Sequence, residues 1–273
     1  MLKPLWHSLL RCLAHPTGTA PVIPDALWQQ VLSDVPFLTS LSPAELLRLR
    51  QLSAFFLKDK EFHGAQGLLI TDAMALAIAA QACLPLVHLG DGRTALRWYD
   101  EFVGIVVHPD QVVAQREFTD DTGLVHSYRE VLAGEACEQG PVTLSWHDVT
   151  SASPEHGYNV VIHEFVHKID MRDGVVDGCP PLPANFMAMG SVRQARAHWF
   201  ETLEAAYDDF RDQVIRAERF GAAPPWLDPY GAESLSEFFA VASEAYFVNR
   251  RRFSNEMPGL LTLFDAFFRP SGA

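Results

Sequence analysis

The chain has 273 residues, of which 48% are hydrophobic and 20% are charged, and its formal net charge is −13. This composition is typical of a globular protein large enough for one large domain or two small ones. The acidic balance argues against direct contact with nucleic acid, which attracts basic surfaces, and no stretch is apolar and uncharged for long enough to predict a membrane span.

The N-terminal run is apolar but interrupted. Pro4, His7 and Arg11 break the continuous apolar core that a signal peptide needs. We therefore treat residues 1–24 as an N-terminal segment, for which a surface or packing helix and a flexible tail are both open. Residues 25–273 are expected to form one domain.

The number and spacing of the cysteines indicate the cellular compartment in which the protein is found. The four cysteines are scattered and form no C-x-x-C pair: Cys12, Cys83, Cys137 and Cys179. In a chain of this size, such cysteines are expected to remain thiols in a reducing environment. The sequence therefore predicts a cytoplasmic protein.

The first elements are predicted to be helical. Residues 25–58 have a broad apolar face, and Ser42 is expected to cap a helix that has proline at its first position and Glu45 as its capping-box partner. A second helix, rich in alanine, is predicted to begin at Thr71 and to end before Pro85.

Strands are predicted in the middle of the chain, at residues 102–107, near 123–131 and at 142–146. From residue 158 the chain is predicted to be helical, with breaks rich in glycine or proline at 177–183 and 221–225. This order predicts an α+β fold, with a small mixed sheet above a helical layer and a mainly helical C-terminal half.

The most informative motif is His163-Glu164-x-x-His167. Two histidines four positions apart lie on one helix face, where both rings can reach a single metal ion. Glu164 would then lie beside the metal and could activate a water molecule. The motif therefore predicts a zinc hydrolase site.

The alternative is a chance pair of histidines on a helix face. The apolar run over residues 158–162 instead indicates the start of a buried helix, and Gly174 is predicted to stop that helix. Buried imidazoles need partners, which a metal supplies. We therefore favour the metal site.

A catalytic zinc needs a third protein ligand. Asp173 lies six residues after His167, a spacing at which a turn can bring a third ligand back to the metal. That turn normally needs glycine at the position that Asp170 occupies. Glu237 lies on a predicted buried helix with Glu244 two turns further along the same face. The residues alone leave two interpretations of Glu237 open. It is either a metal ligand or a side chain that faces water or pairs with an arginine.

Motifs beyond the metal helix carry a family resemblance. They occur in order within residues 25–268, at 62–64, 79–83, 134–146, 157–159, 163–174, Tyr230 and 237–240. Together they resemble the Mlc titration factor A family of zinc-dependent peptidases, itself similar to the catalytic domain of anthrax lethal factor. Several spaced motifs in one order are more specific than H-E-x-x-H alone.

The resemblance implies a set of residue roles. His163, His167 and Glu237 are expected to bind Zn²⁺. Glu164 is expected to be the catalytic acid and base. Tyr230 is expected to lie near the metal, where its phenol can donate a hydrogen bond to the oxyanion that forms during peptide hydrolysis.

The resemblance also implies an activity and a partner. The fold is expected to be a zincin-like metallopeptidase domain with an aminopeptidase-like preference among peptide substrates. The family is further known for sequestering a glucose-responsive transcriptional repressor of sugar uptake. The alternative function is therefore regulatory repressor binding, with peptidase activity secondary.

Three further residues are candidates to hold the ligands in place. Asp170 shares a helix face with both histidines and is expected either to accept from a ring Nδ1–H or to cap the helix. Asn159 is a weaker candidate of the same kind, and Glu244 is a candidate acceptor. Residues 142–146, taken as an edge strand beside the cleft, are expected to pair with substrate backbone.

Overall fold

The computed structural model describes residues 22–119, 125–136, 140–151, 153 and 155–270, with only the backbone over 112–132. Its helices are α1 Asp25–Asp34, α2 Pro43–Asp59, α3 Asp72–Cys83, α4 Trp146–Thr150, α5 Val160–Asp170, α6 Val192–Phe220, α7 Leu235–Val248, α8 Arg250–Glu256 and α9 Pro258–Phe268. Its strands are β1 Glu61–Gly64, β2 Gly104–His108, β3 Val112–Thr119, β4 Val125–Leu132, β5 Gly134–Ala136 and β6 Val142–Ser145.

The main sheet has four strands in the order β1-β2-β6-β5. Strands β1, β2 and β6 run parallel, and β5 runs antiparallel to β6. Alternate residues of the two central strands face the core, namely Ile105, Val107, Val142 and Leu144. A small mixed sheet beside many helices confirms the predicted α+β class.

The interpretation of residues 142–146 as an edge strand is wrong. Strand β6 is paired on both sides, with β2 and with β5, so the edge beside α5 is β5. Strand β5 precedes β6 in the chain and pairs with it antiparallel, with Gly134 opposite Leu144. The strand ends at Ser145, whose side chain caps α4.

The strand predicted near 123–131 is β4, which pairs with β3 in a separate antiparallel hairpin. Strands β1, β3 and β5 have no counterpart in the sequence prediction. In β1 the pattern is weak, because Phe62 is its one buried residue, and β5 has only three residues. Such short segments have too few alternating apolar positions to predict a strand.

The helices begin and end where local signals indicate. Ser42 and Glu45 form the predicted capping box at the start of α2, and Thr71 caps α3. Helix α6 ends at Gly221, which adopts the left-handed conformation with φ of 68°. In the described ranges, no helix combines the length and the hydrophobicity needed to cross a membrane.

Helix α5 lies at the centre of the molecule, packed against α3, α7 and the edge strand β5. All of its residues are buried. The Phe165 ring packs within 6 Å of three aromatic rings, those of Phe56 at 5.6 Å, Tyr99 at 5.1 Å and Phe102 at 5.9 Å. These contacts fix the rotation of α5 and so the direction in which its histidines point.

Candidate metal centre

Helix α5, which carries His163 and His167, has a defined start and stop. The Asn159 side chain accepts a hydrogen bond from the backbone N–H of Ile162 at 2.9 Å, which caps the first turn. The helix ends at Asp170, a single 3₁₀ turn follows, and Gly174 ends that turn with φ of 86°. The predicted stop at Gly174 is confirmed, since its left-handed conformation favours glycine.

Three side chains from two helices converge on one point. His163 and His167 come from α5, and Glu237 comes from the first turn of α7, which packs against it. The two Nε2 atoms are 3.1 Å apart, and Oε2 of Glu237 lies 3.0 Å from one and 3.2 Å from the other. Among the described residues, these three form a group able to hold a metal ion.

The donor set and its spacing fit zinc. A tetrahedral zinc with bonds of about 2.0–2.1 Å separates its donor atoms by about 3.3–3.4 Å, close to the separations here. Two imidazole nitrogens and one carboxylate oxygen are also the ligands that catalytic zinc sites use, leaving a position open for water or substrate. The residues present therefore fit the metal that the motif predicts.

Hydrogen bonding at the far side of His163 supports the same conclusion. Its Nδ1 lies 2.8 Å from Oε1 of the buried Glu244, which accepts a hydrogen bond from Nδ1–H and so fixes the orientation of the ring. On the other side of the ring, Nε2 faces the Glu237 carboxylate, so a proton or a metal ion must lie between the two atoms. The position therefore suits a cation, and a metal ion that binds there would displace the proton.

The electrostatics of the ligands agree with a cation site. Burial works to lower the pKa of His163, but hydrogen bonds to Glu237 and Glu244 outweigh it and raise that pKa well above the ordinary value. Burial works to raise the pKa of Glu237, but hydrogen bonds from His163 and His167 hold it far below its usual range. The arrangement therefore stabilises positive charge at the three donor atoms.

Glu164 occupies a protected position beside this group. Its side chain is buried, and burial raises the pKa of its carboxyl to about 8, with smaller contributions from neighbouring charged groups. A cation at the adjacent donors would lower that pKa by attraction. Gly134 of the edge strand passes so close that a Cβ there would lie 2.5 Å from Oε1 of Glu164.

Tyr230 lies at the rim of the same site, in the 3₁₀ turn Pro229–Ala232. Its ring centroid is 5.9 Å from that of His163, and the residue is 37% exposed. Asp228 caps this turn by accepting from the Tyr230 backbone N–H at 3.0 Å. The capped turn thus holds the partly exposed Tyr230 ring next to His163, one of the candidate ligands.

A cavity of about 140 Å³ opens beside His163, one of the three candidate ligands. Its apolar lining includes Tyr158, Val160 and Val241, and its polar lining includes Glu164 and Glu244. His163, Tyr230 and residues 133–134 form the remaining walls. A small group bound in the cavity would therefore contact Glu164 and one of the three candidate ligands, His163.

Two of the three candidate supporting residues lie on the His163 side. Glu244 contacts the ring directly, as described above. Asn159 does not reach the ring, and its backbone N–H instead donates to Oε2 of Glu244. The expectation that Asn159 accepts from a ligand is therefore wrong at the level of direct contact, because its side-chain oxygen is already used as the helix cap.

Asp170 reaches His167, the other candidate histidine ligand, only indirectly. Its Oδ2 accepts from the backbone N–H of Gly178 at 2.9 Å and from Oγ of Ser236 at 3.2 Å. Ser236 Oγ in turn lies 3.4 Å from Nδ1 of His167. Ser236 was not among the predicted site residues, and its only signal in the sequence is its position directly before Glu237.

The alternative ligand Asp173 lies away from this group. Its carboxylate pairs with Arg196 at 3.2 Å and accepts from the backbone N–H of Val175. The ion pair joins the turn after α5 to helix α6, and the bond to Val175 lies within that turn. The third carboxylate beside the two histidines is therefore that of Glu237.

Comparison with known proteins bears on the same residues. Residues 14–269 match the family model of the glucose-regulated metallo-peptidase M90. The chain is 35% identical over 243 residues to Mlc titration factor A of Klebsiella pneumoniae (strain 342), covering 89% of this chain and 85% of that protein.

Relatives in two other genera carry the same name. Mlc titration factor A of Salmonella arizonae is 34% identical over 245 residues, which covers 90% of this chain and 91% of that protein. The protein of that name from Yersinia pestis (strain Pestoides F) is 34% identical over 245 residues, with coverage of 89% and 84%. The similarity therefore spans the metal helix and both flanking halves of the chain.

Proposed function

The chain belongs to the glucose-regulated metallo-peptidase M90 family, and on that premise we propose that it is a zinc-dependent peptidase. The observation that carries the proposal is the convergence of His163, His167 and Glu237, with the buried Glu164 carboxylate beside them. Zinc is the metal proposed because the donors are two imidazoles and one carboxylate.

The proposed chemistry uses the chain's own groups around that centre. When bound, zinc would polarise the substrate carbonyl and lower the pKa of a water molecule. Glu164 takes a proton from the attacking water and later delivers it to the leaving amine. The Tyr230 phenol donates a hydrogen bond to the oxygen that becomes negative.

We propose an aminopeptidase-like preference among peptide substrates. What supports it is the density of carboxylates around the cavity, where Glu164 and Glu244 are lining residues and Glu135 and Asp228 act on them electrostatically. A field of this sign favours the free α-ammonium group of a peptide and disfavours acidic side chains. Hydrolysis of an aminoacyl substrate should therefore fall sharply when its amino group is acetylated.

Two glutamate-to-glutamine variants test the peptidase. E164Q removes the base and leaves the three ligands, so zinc should stay bound while hydrolysis of aminoacyl and peptide substrates falls by about 10²–10⁴-fold. E237Q replaces a ligand carboxylate and should reduce both zinc content and activity. Equal activity in E164Q and the wild type, at equal zinc content, would refute the peptidase proposal.

A second proposed function is binding of a transcriptional repressor, and it is favoured by the relatives' name, Mlc titration factor A. The net charge of −13 supports a partner with a basic DNA-binding region. In the alternative version of this proposal, peptidase activity is secondary. A pull-down with purified repressor separates the roles, because E164Q should retain the repressor as well as the wild type does.

We propose a cytoplasmic location. Cys83 and Cys179 support it, because both are buried and free, whereas Cys12 and Cys137 lie outside the described residues. Burial raises the pKa of Cys179 to about 12 and that of Cys83 further, so both are protected thiols. Alkylation of the denatured protein without reductant should modify all four cysteines.

We also propose that residues 25–273 act as one domain. A hydrophobic core with members from Ile23 to Phe268 supports this. The core begins two residues before the proposed boundary, and most of the proposed segment 1–24 lies outside the described residues. Limited proteolysis should leave a single resistant fragment, whereas two stable fragments would contradict the proposal.

A further inference from the structure

A buried glutamine on α3 is connected to the metal helix. Helix α3 is buried from Met74 to Cys83, and Gln81 lies among alanines there with only 1% of its surface exposed. A buried amide needs partners for both its N–H groups and its oxygen. Gln81 Nε2 donates to the carbonyl of Ala77 at 3.0 Å, and Oε1 accepts from Nδ2 of Asn159 at 2.6 Å.

The contact with Asn159 continues to a metal ligand. Asn159 is 1% exposed, and its Oδ1 caps α5 while its backbone N–H donates to Oε2 of Glu244. The other oxygen of Glu244 accepts from Nδ1 of His163 at 2.8 Å. An unbroken chain of hydrogen bonds therefore runs from Gln81 through Asn159 and Glu244 to His163.

Each link in this chain pairs one donor with one acceptor. Oε1 of Gln81 accepts a hydrogen bond from Nδ2 of Asn159, while Oδ1 of Asn159 accepts one from the Ile162 N–H. Both bonds require the same orientation of the Asn159 side-chain amide. Without an acceptor at position 81, the buried Asn159 amide would lose a partner and its cap would weaken. The backbone N–H that holds Glu244 would then be less well placed.

We propose that Gln81 is a positioning residue that orients His163 for metal binding through Asn159 and Glu244. The inference rests on the proposed function, because it assumes that His163 is a ligand. Gln81 contacts neither substrate nor ligand, so its effect must reach the metal through Glu244. Mutation of a group that hydrogen-bonds a metal ligand commonly weakens metal affinity by about 10–100-fold. Mutation of a residue one or two hydrogen bonds further away should weaken it less.

The main variant is Q81M, which keeps a side chain of similar length and removes both hydrogen bonds. It should weaken zinc affinity by roughly 3–10-fold, measured by competition with a chromogenic chelator. I78V is the matched control, since it loses one methyl group from a buried position on the same helix and no hydrogen bond. I78V should leave zinc affinity unchanged.

Two further arms test the route. In an E244Q background, Q81M should cause little additional loss of zinc affinity, because the link it acts through is already altered. Q81E keeps an acceptor oxygen towards Asn159, and burial favours its protonated form, which also donates to Ala77. Q81E should therefore bind zinc within about twofold of the wild type.

Amide hydrogen exchange of the metal-free protein gives a readout independent of zinc. The Ile162 amide should exchange faster in Q81M than in the wild type, and I78V should not show this change. The inference is overturned if Q81M binds zinc as tightly as the wild type, or if I78V weakens zinc binding equally. A wild-type protein that binds no zinc would refute the proposed function, while Ile162 exchange would still decide whether Gln81 holds the helix start.

Discussion

Gly134 and Glu164 approach so closely that no side chain fits between the edge strand and the metal helix. A Cβ at position 134 would lie 2.5 Å from Oε1 of Glu164 and 2.7 Å from its Cγ. The backbone of β5 thus forms one wall of the pocket that holds the proposed base. Glycine is required here for close approach and not for an unusual backbone angle.

The first prediction is that G134A lowers kcat by about 10–100-fold while zinc content stays at the wild-type level. The added methyl group must push the Glu164 carboxylate aside, and misplacement of a catalytic group by about 1 Å has effects of this size. Steady-state kinetics with metal analysis measures both quantities. G104A is the control, because its Cβ would make only an ordinary 3.5 Å contact with Pro141 in the same sheet. Equal losses in the two variants would contradict the explanation.

The second prediction concerns metal removal. Without the metal ion, only a proton held between His163 and Glu237 joins the two groups, and the cross-link from α5 to α7 through the metal is lost, so chelation should destabilise the native state. Zinc at about 100 times its dissociation constant should stabilise the protein by about 2.7 kcal/mol, which is a rise in Tm of roughly 5–10 °C. Differential scanning calorimetry with and without chelator measures this shift, and E237Q should shrink it. An unchanged Tm in the wild type would exclude a ligand role for the three residues.

The third prediction concerns acid stability and Glu45. Burial works to raise the pKa of this carboxyl, but hydrogen bonds from Ser42, with help from His88 and Arg269, lower it from 4.5 to about 2. Because the folded pKa lies below the unfolded value, the group's contribution is present above about pH 4.5 and is lost as the pH falls towards 2. Urea denaturation at a series of pH values should therefore show stability falling across this window.

E45Q tests that assignment. Glutamine preserves an acceptor for the capping box but removes the charge. At pH 7, E45Q should be less stable by on the order of 1 kcal/mol after allowance for solvent screening, and the difference should shrink as the pH falls to 2. E256Q removes the same charge from an exposed helix end and is the control. A difference that stays constant down to pH 2 would show that Glu45 acts through packing alone.

Signals between residues that are neighbours in the sequence predicted helix α5 well. The position of α5, its stop at Gly174 and the shared face of His163 and His167 all follow from periodicity and end signals within a few residues. The capping box of α2 was predictable for the same reason. Each of these features depends on residues that are neighbours in sequence.

Features that depend on tertiary packing were not predictable in this way. Glu237 was left open from the residues alone, because only the packing of α7 on α5 brings it to 3.0 Å from His163. The family resemblance, not the pattern, pointed to it. Ser236 and Gln81 acquire their contacts from the same long-range packing, and the edge strand β5 is too short for its pairing to be visible in sequence.

The last prediction compares the two histidines through the groups behind them. Oε1 of Glu244 lies 2.8 Å from Nδ1 of His163. On the other histidine, Ser236 Oγ lies 3.4 Å from Nδ1 of His167 and donates a hydrogen bond to Asp170. A short bond to a buried carboxylate holds a ring more firmly than a long bond to a hydroxyl. E244Q should therefore weaken zinc affinity by about 10–100-fold, and S236A by less than about 10-fold.

S243A provides the matched control for this comparison. Ser243 lies on α7 between the two positions, and its buried Oγ has no hydrogen-bond partner in the part of the chain that the structure describes. Removing that hydroxyl should leave zinc affinity unchanged and stability equal or slightly higher, because an unsatisfied buried group is lost. Chelator competition on the three variants measures the order. If S236A weakens zinc binding more than E244Q does, the carboxylate behind His163 is not the stronger of the two supports.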